Sequence, residues 1–171
     1  MSLSTTVSNR LSEKDRALSI ATNHLKNAEI NPLNKQLITK FIQQLTAEGL
    51  TKDRQIKYIY TTVNLSRWFH NKLFKQVAKD DIVTVIGDLH KKEYSEWTKR
   101  DYRIVLKRLI KYVQEQEGKI FQKHEYPSEV AWLDCTVKKS RQKLPKELLS
   151  IEDIKKLSEG TLNLRDKTFI L

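Results

Sequence analysis

Two stretches of this chain gather cations where a polyanion could be held. Gly49 to Tyr58 reads Gly-Leu-Thr-Lys-Asp-Arg-Gln-Ile-Lys-Tyr, and Tyr94 to Arg103 reads Tyr-Ser-Glu-Trp-Thr-Lys-Arg-Asp-Tyr-Arg. A constant shift superposes Thr51 on Ser95, Arg54 on Thr98, Tyr58 on Tyr102, Leu65 on Leu109 and Trp68 on Tyr112. Each stretch has a hydroxyl suited to a helix N-cap, cations in the first turns and an aromatic anchor two turns on. The amino terminus of a helix offers free N–H groups and the positive end of its dipole to a phosphate. Lys52, Arg54 and Lys57 on the first stretch are therefore candidate contacts, with Lys99, Arg100, Arg103 and Lys107 on the second.

The second stretch continues into a row. Lys99, Arg103, Lys107 and Lys111 recur every fourth residue, a line of about 18 Å on a helix. Such a row suits the edge of a DNA groove, and it suits an ordinary solvated face equally well. Further on, Cys135 to Lys146 carries Lys138, Lys139, Arg141, Lys143 and Lys146 without an acidic residue. It reads as an extended basic linker, able to track a phosphate backbone or to serve as a plain tether. Trp68, Trp97 and Trp132 read as core or lid residues in preference to base-stacking platforms.

The whole composition leans the same way. Of 171 residues, 32 are Lys or Arg and 21 are Asp or Glu, a formal charge of +11. That excess points to a polyanionic partner; together with the two cationic helix starts and the basic linker it makes double-stranded DNA the expected one, with phosphate contacts supplying affinity and positioning but little sequence information. Catalytic chemistry is poorly served. The four histidines are scattered, the single cysteine cannot build a thiolate cluster, and four glycines cannot furnish a phosphate loop or a dinucleotide motif. No serine sits in a nucleophile elbow. No metal, cofactor, small-molecule substrate or membrane partner is expected. One cysteine and the lack of a signal peptide imply the cytoplasm.

Helices must position these residues. Met1 to Leu11 is Ser/Thr-rich and reads as a flexible tail. Ser12 suits the N-cap of a first helix, with Asp15 at N3 and Ala17, Leu18, Ala21, Leu25 and Ala28 as its buried stripe. Asn31-Pro32 opens a second helix carrying Leu37, Ile38, Phe41, Ile42 and Leu45, closed by Gly49 and Leu50 in a Schellman cap. Thr51 starts a third, running to about His70. Asp80 caps a fourth through Ile82, Val83, Ile86 and Leu89, although its β-branched run would suit a strand by propensity. Ser95 starts a fifth, ending near Gly118, with Tyr102, Val105, Leu106, Leu109 and Val113 inside. A patch at Val130 to Leu133 follows Tyr126-Pro127, and Ser150 caps a further short helix bearing Ile151, Ile154 and Leu157.

The order of these elements resembles the amino-terminal half of a tyrosine recombinase of the phage-integrase type. The matching strings are Phe41 to Leu50 leading to Tyr58, and Ser95-Glu96-Trp97-Thr98 leading to Tyr102, Leu106 and Leu109. After the linker come Leu144-Pro145, Leu149-Ser150-Ile151-Glu152-Asp153-Ile154 and Arg165-Asp166-Lys167. Arg54 stands where that family more often has threonine. The resemblance implies a SAM-like core-binding domain followed by the opening of a catalytic domain. It implies duplex DNA and other recombinase protomers as partners, and strand cleavage through a phosphotyrosyl intermediate. It places every catalytic residue beyond Leu171, so this chain would bind and not cut.

The expected fold is all-α: a compact bundle of four to five helices, then a basic linker and a short helical start of a truncated second domain. Residues 1–11 are the tail, 12–126 the DNA-binding domain, 127–146 the linker and 147–171 the beginning of the catalytic domain. Two other readings stay open: a non-enzymatic helical DNA-binding regulator, and a helical protein-interaction module with a basic surface.

Overall fold

The computed structural model describes residues 3–137 and 151–160, and every regular element among them is helical. The chain divides into two units, residues 1–137 and 138–171. Helix α1 spans Leu3–Asn27, α2 Pro32–Ala47, α3 Lys52–Trp68, α4 Lys79–Lys91, α5 Glu96–Gln116 and α6 Ser128–Ala131, with a 3₁₀ turn at Phe74–Gln76. In the second unit α7 spans Ile151–Gly160, with none of its residues buried and with Ile151 and Leu157 exposed. Its expected cap, Ser150, lies outside the described residues.

Two amino-terminal expectations are corrected. Helix α1 starts at Leu3, so Leu3 to Leu11 belong to a helix and Ser12 sits inside it, not at its cap. No glycine or proline occurs in this stretch, and serine and threonine inside a helix cost only a few tenths of a kcal/mol each relative to alanine. A propagating helix therefore runs through them. The buried stripe is as expected, with Ala21, Leu25 and Ala28 in the core.

Caps then set the path of the chain. Asn31 Oδ1 accepts from Leu33 N–H at 2.9 Å, and Pro32 takes the first helical position. At the other end Gly49 has φ +86°, Leu50 N–H donates to Leu45 C=O and Gly49 N–H to Thr46 C=O. These two bonds are the Schellman pair. Gly118 closes α5 in the same way. Helix α3 also ends in this motif, but with His70 at φ 51° and Asn71 at φ 58° where glycine would be relaxed.

That strained turn is held from below by Asn34. Its side chain is buried, donates to Ser66 Oγ at 3.0 Å and Lys72 C=O at 2.9 Å, and accepts from Phe74 N–H at 3.0 Å. Lys72 in turn pairs with Asp81 in the first turn of α4. The cap of α4 differs from expectation: Ala78 is the N-cap residue and Asp81, not Asp80, takes its N–H, at 2.8 Å. The β-branched run is helical, because Ile82, Val85, Ile86 and Leu89 bury one helical face.

The matching helix starts belong to a larger repeat. Helices α2 and α4 end at Ala47 and Lys91, and α3 and α5 begin at Lys52 and Glu96, each pair separated by the same 44 residues that part Lys57 from Asp101. Burial follows the same register: Ile38 with Ile82, Leu45 with Leu89, Tyr58 with Tyr102, Leu65 with Leu109. Two copies of one helical hairpin pack together, and α3 touches α1, α2 and α5. After α5 the chain folds back. Residues 127–137, expected as linker, belong to this unit and add Val130 and Leu133 to its core. Apolar side chains spaced only three apart around a Pro-initiated turn can be buried by one short helix, which linker composition alone conceals.

His70→Gly should raise stability by about 1 kcal/mol in urea denaturation, because glycine relieves the left-handed position. Lys72 and the Ala78 N–H hold the Asp81 carboxyl below its ordinary value of 3.8. A depressed folded value means stabilisation that is present above that pH and lost as pH falls through the depressed one. Thermal denaturation should therefore show stability falling below pH 4 or so, with Asp81→Asn removing that component.

Candidate nucleic-acid interface

The repeat brings the two cationic helix starts together. Lys57 Nζ binds the carboxylate of Asp101, its own equivalent in the other hairpin. Ser95 Oγ caps α5 by accepting from Thr98 N–H at 3.1 Å. Thr51 holds the N-cap position of α3, but its hydroxyl makes no capping bond. Around this start, Lys52 pairs with Asp15 and Lys14 with Asp53, linking α1 to α3. Arg54 is exposed and carries no ion pair among the described residues. Exposed pairs of this kind contribute about 0–1 kcal/mol, so their lysines can be given up to a phosphate at little cost.

The α5 row is neither an open track nor a solvated face, because Lys99 and Arg103 are buried and residues 121–135 roof Lys107 and Lys111. Lys99 is buried, donates to His90 C=O at 3.2 Å and lies 3.5 Å from Glu96. Arg100 Nε donates to Cys135 C=O at 2.7 Å, with its guanidinium over Trp97. Lys107 donates to Leu133 C=O at 3.1 Å and sits 4.5 Å from the ring centre of Tyr126. Lys111 donates to Gln122 C=O at 2.7 Å beside Tyr126 and Phe121. Arg103 is buried. Arg100, Lys107 and Lys111 hold the fold-back in place through its main chain. Lys138, Lys139, Arg141 and Lys143 lie outside the described residues.

Sequence reasoning passed over Arg108. It binds Glu48 at 2.9 Å, reaches the Tyr58 hydroxyl at 3.4 Å and lines a cleft of about 550 Å³ with Lys111, Lys123 and His124. It stands one residue after Lys107 and so off the four-residue row, which is why that row did not include it. The tryptophans part company. Trp68 stacks on Tyr102 at 4.7 Å, and burial pushes the Tyr102 phenol up, against the Asn64 hydrogen bond. Trp97 and Trp132, expected in core or lid, are exposed. Among the described residues no three His, Cys, Asp or Glu side chains come together as metal ligands, and no helix is long and apolar enough to cross a membrane.

No family model, no curated protein and no solved structure matches the chain.

Lys107→Ala should cost about 1–2 kcal/mol, from the lost carbonyl bond and ring contact. Lys57→Ala, on an exposed pair, should cost less than about 1 kcal/mol. Urea denaturation of the two variants checks the order.

Proposed function

We propose that this chain is the DNA-binding amino-terminal part of a site-specific tyrosine recombinase, gripping duplex DNA for strand cleavage and rejoining by a catalytic domain that follows. The observation that carries the DNA reading is the meeting of the two helix starts at Lys57 and Asp101, with Arg54 exposed beside them. The charge of +11 supports it. The recombinase reading rests on the order of the strings from Phe41 to Lys167.

The grip is centred on α3. Lys52, Arg54 and Lys57 are the phosphate contacts, with the linker cations Lys138, Lys139, Arg141 and Lys143 extending the path. Arg100 and Lys107 give donors to the fold-back and Lys99 gives one to His90 C=O, so all three contribute chiefly by field. Exposed Trp97 and Trp132 favour a second reading, a protein-docking face, because tryptophan is enriched where proteins meet.

Fluorescence anisotropy with a labelled duplex of random sequence, titrated across salt, tests the proposal. The log of affinity should fall with log salt by about 0.9 for each neutralised phosphate. Neutralising Lys52, Arg54 and Lys57 together should lower that slope by about two to three units. No binding at low salt would overturn the DNA reading and favour the protein-docking one.

A further inference from the structure

Arg103 places a guanidinium at a core position. Its equivalent in the first hairpin is Ile59, a fully apolar core residue. Arg103 is 9 % exposed, and its Nε is buried with no hydrogen-bond partner among the described residues. A buried donor left without a hydrogen-bond partner is costly to a fold. Its neighbours add to the imbalance. Arg100 and Lys107 stand on the same face of α5, three residues before and four after. Their hydrogen-bond partners are neutral carbonyls, those of Cys135 and Leu133. Neither has a carboxylate partner among the described residues.

We infer that Arg100, Arg103 and Lys107 form a binding site for one phosphate group beneath residues 133–135. A guanidinium presents five donors in a planar fork that matches two phosphate oxygens. Arg103 supplies that fork from within, and half-buried Arg100 and Lys107 flank it with donors beyond those their carbonyls accept. The thiol beside these cations is not a counter-ion. The Cys135 thiol lies within the field of all three cations, yet burial outweighs them and pushes it up, so it stays protonated. The phosphate comes either from the DNA backbone, where the inference rests on the DNA-binding reading, or from a free anion, where it stands apart from it.

Thermal denaturation of the full chain in inorganic phosphate, against sodium chloride at matched ionic strength, is the test. A saturable rise of roughly 5 °C is expected near ten times the dissociation constant. Arg103→Met should abolish that response while leaving the chain at least as stable as the parent in chloride, since it restores an apolar residue to a core position. Should that variant not fold, Arg100→Gln should still weaken the response several-fold. Duplex titration separates the sources. With a backbone phosphate, Arg103→Met lowers the salt slope by about 0.9 and inorganic phosphate competes with the duplex. With a free anion, the slope is unchanged and only the thermal response is lost. A parent chain that rises no further in phosphate than in chloride, or an Arg103→Met chain that keeps the full rise, overturns the site. A chain that responds to phosphate but binds no duplex sinks the DNA reading and leaves the site standing.

Discussion

Helix α5 carries its cations inward, and much of the rest follows from where their donors go. Three main-chain carbonyls, of Gln122, Leu133 and Cys135, accept from Lys111, Lys107 and Arg100. A main-chain carbonyl is a good partner for a half-buried ammonium or guanidinium, because it satisfies a donor without requiring a second charge to be desolvated. The ammonium groups of Lys107 and Lys111 also lie over the Tyr126 ring. The segment after Gly118 is thus secured by charge at its main chain and by Val130 and Leu133 in the core. Without that roof, α5 would present a bare cationic ridge and the core would lose one wall.

The duplicated hairpin explains why two helix starts so far apart in sequence act at one place. Equivalent caps, equivalent stripes and equivalent ends produce two copies of one object, and the pair Lys57 and Asp101 joins matching positions of the two. The copies then diverge in use. On α3 the cations at the start stay on the surface in exchangeable pairs. On α5 the cations Arg100, Arg103 and Lys107 stand at the positions of Ile56, Ile59 and Val63, and the chain that follows accepts from Arg100 and Lys107. A repeated element can keep its hairpin packing while positions that are apolar in one copy carry cations in the other, provided a neighbouring segment supplies acceptors for them.

Much of this was legible in the sequence. Helical spacing located α2 to α5, glycine placed the Schellman ends, and Asn31-Pro32 and Ser95 marked true caps. The failures have local causes. Serine and threonine at the amino end suggested a tail, yet they do not stop a helix when no glycine or proline does. Asp80 and Asp81 are both good capping residues, and the Ala78 N–H and the Lys72 ammonium distinguish Asp81. The row of Lys99, Arg103, Lys107 and Lys111 looked like surface because periodicity reports which residues share a face, not what covers it. Its cover is a short segment with the composition of a linker, held by carbonyls that no side-chain pattern reveals. Arg103, at the position of Ile59, looked like one more member of the row.

The central claim is a division of labour: α3 offers its cations outward while α5 uses its own to hold the fold-back. Lysine acetylation kinetics, read residue by residue by mass spectrometry on the chain free and bound to duplex DNA, test it most directly. The account predicts fast modification of Lys52 and Lys57 in the free chain, protection of both on DNA, and slow modification of Lys99, Lys107 and Lys111 in either state. Rapid modification of Lys107 and Lys111 in the free chain, with protection of those residues on DNA, would contradict it and make α5 the groove-facing helix.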